Sequence, residues 1–414
     1  MKKMILRTRL MTQCLLGLFC LIAGAVSAQS TWTLKTPPPA PFTARNACAG
    51  FAIGSKGYFG LGGDSKGETA DFYEYNPASD TWTKKANFGG KKRQAVVSFS
   101  IGNKGYVGLG DSSGVATKDF WEYDPSVDTW TKKADFPGIA RTTAIGFSIG
   151  SKGYVGLGDA AGVLQKDFYE YNPSSDTWTT KASFGGTGRS DASAFSIGNK
   201  GYVGAGDDGT VPFKKDFWQY DPATDKWTAK SDFGGGPRTT ATAFSLNGKG
   251  YLGAGDDGSN LHNDFWQYDT AANTWTQIPA FTGAKRSDMV GFAIGSKAYV
   301  GNGNLCGAAC YTNDWYEFAP GVAGIHNLVR AEDIFHLYPN PSAGTITLHL
   351  ESVLSGPSSL IFTDARGRLA ASRELHTSER EIQIDLNELD NGLYFVQLLY
   401  KGEQITAEKI MVLK

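Results

Sequence analysis

The sequence predicts an all-β chain, a closed ring of six four-stranded sheets followed by a small β-sandwich, and three observations carry that prediction. A glycine-rich phrase recurs six times at intervals of 48 or 49 residues. A tryptophan-centred strand is missing from the end of the sixth repeat and stands instead ahead of the first. Past the repeats, the pattern changes to strands of simple alternation. Composition agrees: 52 of 414 residues are glycine, 13% are aromatic, and helix-period apolar patterning is nearly absent.

The N-terminal segment, residues 1–28, reads as a signal peptide. Lys2, Lys3, Arg7 and Arg9 precede an apolar run from Cys14 to Val26 that is too short to span a bilayer, and Val26-Ser27-Ala28 offers small residues for cleavage before Gln29. Loss of those four positive charges takes the formal charge from −1 to −5. The mature chain is then mildly acidic, without a membrane-spanning segment and without the basic stripe of a nucleic-acid binder. The composition also excludes a coiled coil, a multispanning membrane protein and a disulfide-dense mini-scaffold.

The repeats occupy residues 29–320. Phe99-Ser-Ile-Gly-Asn-Lys-Gly-Tyr-Val-Gly-Leu-Gly-Asp111 returns from Phe51, Phe147, Phe195, Phe244 and Phe292. Asp119-Phe-Trp-Glu-Tyr-Asp-Pro125 returns from Asp71, Asp167, Asp216 and Asp264, and degraded from Asp314. Asp128-Thr-Trp-Thr131 places its tryptophan at Trp82, Trp130, Trp178, Trp227 and Trp275. A period near 50 built from short strands and glycine turns indicates a β-propeller rather than a helical solenoid. In the third repeat the four strands are expected at Arg141 to Ile149, Gly153 to Leu157, Phe168 to Tyr171 and Thr177 to Lys181. The sixth repeat stops after Phe318, and Thr31-Trp32-Thr33 supplies its missing strand, so six blades close into a ring with no open sheet edge expected.

An arginine opening the first strand, Gly62-Gly63 or Gly-x-Gly in the second, and Tyr and Trp flanking a turn resemble the kelch repeat. The resemblance implies a propeller of the galactose-oxidase central-domain kind. That fold hosts enzymes and adaptors alike, so it implies no reaction.

Residues 321–333 read as a linker. From 334 to 414, strands are expected at Thr345 to Leu350, Ser359 to Thr363, Glu381 to Asp385, Leu393 to Leu398 and Ala407 to Val412, making the sandwich. Leu337-Tyr-Pro-Asn-Pro341 with Gly344, Asp364-Ala-Arg-Gly367, Leu389-Asp-Asn-Gly-Leu-Tyr394 and Lys409-Ile-Met-Val-Leu-Lys414 are similar to the C-terminal sorting domain of type IX secretion. The resemblance implies contact with that secretion machinery and a secreted or outer-membrane-surface protein.

Antiparallel connectivity brings two sets of residues to one rim: Arg45, Arg93, Arg141, Arg189, Arg238 and Arg286, and Asp64, Asp111, Asp159, Asp207 and Asp256 with Asn304 in sixth place. Both sets are candidates to face a ligand in the central funnel. Pairing among themselves or with turn amides is the architectural alternative. The loops between second and third strands vary most and are candidates for specificity. Asp207-Asp208-Gly209 and Asp256-Asp257-Gly258 invite a calcium reading, though Asp-Gly is also ordinary turn chemistry.

Cys306 and Cys310, in one such loop of an exported chain, are expected to form a disulfide, and Cys48 a buried free thiol. No zinc-type ligand set is visible, and no cofactor is expected. Copper chemistry needs more histidines than His262, the one in the repeats. The function expected is binding of a glycan or a surface protein by a monomer, without catalysis. The competing class is a glycosidase or sugar-acid epimerase using carboxylates and arginines on the same face.

Overall fold

The computed structural model describes residues 30–306, 310–321, 335–350, 358–365, 368–375, 380–400 and 403–414. The signal peptide expected over 1–28, and the expected linker from residue 322 on, lie outside them. The described residues contain strands and turns and no helix, so none long and apolar enough to cross a membrane. Residues up to Gly321 form one compact unit, and those from Phe335 on belong to another.

The first unit is six four-stranded antiparallel sheets. The third is typical: Ile145–Ile149 nearest the axis, then Lys152–Gly156, Phe168–Asn172 and Thr177–Lys181 outermost. Of the boundaries that differ from the sequence expectation, two do so for one reason. Thr143 and Leu157 have φ of 51° and 59°, and a left-handed residue breaks the extended run at the start of the first strand and the end of the second. In the sixth sheet Val290–Ile294, Lys297–Gly301 and Trp315–Ala319 are joined by Thr31–Lys35, with Trp32 opposite Phe318. The N-terminal strand thus completes the ring. It does not remove all edges: each outermost strand still ends its sheet, and positions such as Lys84 and Lys132 are exposed there. Lysines on an edge discourage pairing with another chain.

Neighbouring blades are locked in three ways. Phe51 fills the space where a Cβ on Gly105 of the next blade would stand, 2.1 Å from its ring, which is why that strand carries glycine. Outside, Trp130 Nε1 donates to Ala86 O at 3.2 Å while Ala86 N donates to Asp128 at 3.0 Å, and the junctions from Trp178 and Trp227 repeat the stitch. The closing strand uses it on both sides: Trp32 donates to Pro279 O, and Thr36 accepts from Trp82 while donating to Asp80. Near the axis, the amide of Gly110 bonds Arg141 O, and the series runs through every blade until Gly303 N reaches Arg45 O at 3.0 Å. Gly110 sits at φ 94° to make that bond, a conformation costly for a side-chain-bearing residue.

The second unit packs a three-stranded sheet (Phe335–Tyr338, Thr345–Leu350, Glu381–Asp385) and a four-stranded one (Leu369–Leu375, Ser358–Asp364, Gly392–Tyr400, Glu403–Val412) around Phe335, Leu348, Leu360, Phe362, Val396 and Ile410, all buried. Sequence reading missed Phe335–Tyr338, a short strand, and Leu369–Leu375, an edge strand without apolar alternation.

Candidate binding site at the mouth of the propeller channel

The six arginines do not reach the funnel. Each is at most 1% exposed and forks onto the aspartate that opens the third strand of its own blade: Asp71, Asp119, Asp167, Asp216, Asp264 and Asp314. In the second blade the two arms of Arg93 lie 2.7 and 2.9 Å from Asp119, with Nη1 also bonding Leu109 O and Nε bonding Lys91 O. The guanidinium carbon stands 5.0 Å from the centre of Phe88, within cation–π range. An arginine so engaged has few donors left. Arg45, Arg93, Arg141, Arg189, Arg238 and Arg286 are therefore blade architecture, which corrects their assignment to a ligand. Pairing is also not with the aspartates after the glycine strand, the partner set that the sequence suggested.

Those aspartates cap the loops between second and third strands. Asp159 accepts from Gly162 N, Asp207 from Gly209 N and Asp256 from Gly258 N, at 2.6 to 2.7 Å; Asp64 accepts from Lys66 N, and Asn304 from Cys306 N. Asp111 pairs through its backbone with Gln94. The neighbouring Asp208 is held by Thr187, Thr210 and Lys214, and Asp257 by Ser259 N, Asn260 N and His262. These acceptors are used by turn donors. Among the described residues no three His, Cys, Asp or Glu side chains are grouped to hold a metal ion. In the sixth loop Cys306 and Cys310 are joined by a disulfide, while Cys48 is free.

What the rim does assemble lies two residues beyond each arginine. Ala47, Ala95, Thr143, Asp191, Thr240 and Asp288 all adopt left-handed φ, between 50° and 56°. Each amide bonds the carbonyl of the same position in the preceding blade, from Ala95 N to Ala47 O round to Ala47 N on Asp288 O. The result is a closed hydrogen-bonded ring around the axis. The segments leading into it pair with the residues after the glycine strand, such as Thr142 with Asp159, so the ring sits on the face where the variable loops gather.

The ring and the residues just beyond it line a cavity of about 290 Å³. Its backbone is six-fold alike and its side chains are not. Burial, and then the charge of Asp288, pushes the Asp191 carboxyl up to about 7. Burial likewise raises Asp288, and pushes the Cys48 thiol up to about 12. Below the mouth, Phe51, Phe99, Phe147, Phe195, Phe244 and Phe292 surround the axis. Sequence reading missed the ring, although these positions do vary within an otherwise repeated frame.

In the second unit, the two ends of the expected sorting motif hold each other. Asn340 donates to Lys409 O and accepts from Met411 N, both at 2.9 Å, and Ser342 pairs with Met411 and Leu413 through its backbone. The Lys414 amide bonds Asn391 at 2.8 Å. The Leu-Tyr-Pro-Asn-Pro segment is thus part of the seat of the last strand.

Residues 336–413 match the secretion system C-terminal sorting domain, and residues 237–282 match the Kelch motif. The solved structure of YjhT is similar over 68% of this chain and 95% of its own, with 18% identity and a TM-score of 0.57, a likeness of fold. Comparison with curated proteins returned no match. The chain is a six-bladed kelch-type β-propeller with a type IX secretion sorting domain, and that domain directs it to the cell surface or beyond.

Proposed function

We propose that this exported propeller is a monomeric binding protein that recognises a glycan at the mouth of its channel, without catalysis. The observation that carries the reading is the break in symmetry. Groups that hold the blades together, the arginines and their aspartates, recur six times. The ring residues share one backbone conformation yet read Ala, Ala, Thr, Asp, Thr, Asp around a cavity. The variation at the ring falls around a cavity, where a side chain can meet a ligand. Carboxylates and hydroxyls set around a small cavity are hydrogen-bond partners for sugar hydroxyls.

Of the enzymatic alternatives, a sugar-acid epimerase needs a free arginine, and all six are engaged. The test is a glycan and peptide array probed with the mature chain, followed by Asp191→Asn and Thr240→Val. Glycan binding weakened by either change is expected. Peptide binding alone, or binding indifferent to both, refutes the proposal.

A further inference from the structure

The second residue of every third strand is an aromatic that meets the phenylalanine of the loop entering its blade: Tyr73, Trp121, Tyr169, Trp218, Trp266 and Tyr316. This frame recurs six times, and what flanks it does not. The outermost strand sets one residue opposite each aromatic, with its side chain on the same face of the sheet. That residue is Lys84 in the first blade, Lys132 in the second, and then Thr180, Ala229, Gln277 and Leu34. The entering loop ends on Lys91 and Lys92 just before Arg93, whereas the two residues before the other five arginines include a single lysine, Lys285. Only in the second blade do lysines flank the aromatic from both the outermost strand and the entering loop.

Lys91, Lys92, Lys118 and Lys132 are exposed. The carboxylates at hand are taken: Asp119 by Arg93, and Asp135 by Lys132 at 3.1 Å. Lys91, Lys92 and Lys118 have no ion pair among the described residues. Elsewhere the lysines are matched. Lys215, at the position of Lys118 in the fourth blade, is paired with Asp232, and Lys104, Lys200, Lys249 and Lys297 each reach a carboxylate at the opposite ends of their blades. Unmatched positive charge gathered at one place on a net-acidic chain attracts a polyanion locally.

Trp121 at the centre of the group is half-buried and held in place. Its Nε1 donates to Asp119 at 2.7 Å, Phe88 stands 5.8 Å away, and a Cβ on Gly89 would come within 2.7 Å of its ring. A ring fixed by its neighbours gives contact area at little cost in ordering. An acidic peptide or a lipid headgroup supplies charge without a rigid ring to lie on an indole, and a nucleic-acid duplex keeps its rings stacked within itself. An acidic polysaccharide supplies both.

We propose that the surface around Trp121 binds an acidic polysaccharide, one sugar ring against the indole and the carboxylates or sulfates of the chain on Lys91, Lys92, Lys118 and Lys132. None of these residues lines the mouth cavity, so this surface is independent of the glycan reading there.

The experiment measures binding of the mature full-length chain to immobilised polygalacturonate, dextran sulfate, neutral dextran, polyglutamate and duplex DNA, and to phosphatidylglycerol vesicles. One or both acidic polysaccharides are expected to bind and dextran is not. Lys91→Glu joined with Lys92→Glu should weaken that binding by at least about tenfold, as should raising NaCl from about 0.05 to about 0.5 M. Lys226→Glu joined with Lys285→Glu, exposed lysines of other blades, makes the same change in net charge and should stay within about twofold of the parent. Trp121→Ala should also weaken binding, and thermal melts show which variants are folded. Equal losses from the two lysine pairs reduce the effect to net charge and overturn the proposal. Polyglutamate, DNA or vesicles bound as tightly as either polysaccharide overturn it too. Polysaccharide binding lost in Asp191→Asn but kept in the Lys91 and Lys92 variant places the chain at the mouth, which overturns this inference and leaves the glycan reading standing. Silence with both acidic polymers while a neutral glycan binds on the array does the same.

Discussion

Replacing Arg141 by Ala removes a side chain that is 0% exposed. Its guanidinium forks onto Asp167, with Nη2 at 2.8 Å, while Nη1 bonds Leu157 O at 3.0 Å and Nε bonds Ile139 O at 2.9 Å. Truncation leaves Asp167 with the Tyr169 hydroxyl at 3.2 Å. Breaking a buried ion pair by removing one partner costs about 3–5 kcal/mol. The Asp167 side chain is 29% exposed, so water reaches the abandoned carboxylate and the cost falls in the lower half of that range, about 3 kcal/mol. Part of it is the lost contact with Phe136, whose ring centre is 5.0 Å away, worth roughly 0.5–1 kcal/mol. The measurement is equilibrium urea unfolding of the mature chain, comparing midpoints at unchanged slope. Joining Arg141→Met with Asp167→Leu should lose less than the sum of the two single changes, because no charge is stranded, while Leu157 O and Ile139 O still lack their donor. A loss below about 1 kcal/mol for Arg141→Ala, or a double variant as unstable as the sum of its single changes, would refute the view that these arginines are scaffold.

Three further outcomes are expected. Trp32 packs against Phe265, Phe281 and Phe318 with ring centres 4.7 to 5.2 Å away, so Trp32→Ala should cost about 3–5 kcal/mol; an unchanged thermal midpoint would mean that the closing strand is dispensable. Asp191 carries a folded-state value raised from 3.8 to about 7, so its stabilising contribution is complete below pH about 4 and is lost as pH rises through about 7, by roughly 4 kcal/mol. Asp191→Asn should therefore raise stability at pH 8 and leave it unchanged near pH 4; a gain of the same size at both would contradict the assigned titration. Truncation after residue 406 removes the strand segment that Asn340 and Ser342 hold, and should leave folded propeller in the periplasm; normal surface display, read by protease accessibility on whole cells, would count against the role of that strand.

Blades and ring closure were legible in the sequence because repetition reports on them directly: a tryptophan strand absent at one end and present at the other has one economical arrangement. The arginines were legible as a set and misread in their pairing. Each blade offers two aspartates, one after the glycine strand and one at the third strand, and spacing does not say which lies within reach. The structure resolves it at Arg93, where Asp119 takes both arms and Asp111 instead joins the Gln94 backbone. The ring was not legible for a different reason. A left-handed residue is read in a sequence as glycine, asparagine or aspartate, and four of these six positions hold alanine or threonine. Inter-blade bonds impose the conformation there, so local propensity carried little sign of it. Divergence alone does not mark those positions, because core positions such as Ala49, Val97 and Ile145 diverge between blades as well.

The contact between Ser30 and Gly321, 2.8 Å apart across a separation of 291 residues, bears on how the molecule can fold. Every blade but the last pairs strands that are neighbours in the chain, and can form as soon as it is made. The last must wait for the most distant pairing in the unit. Closing a loop of that length costs on the order of 5 kcal/mol in chain entropy before any contact compensates, and long-range pairing of this kind slows folding. An arc of five blades should therefore accumulate first, with Trp315 still without Phe59, Tyr75 and Trp82 and Trp32 still without Phe265 and Phe281. The final event is a zipping of Thr31–Lys35 onto Trp315–Ala319. Until it happens the chain is an open crescent with two sticky ends, and its kinetic persistence depends on five residues at its very beginning.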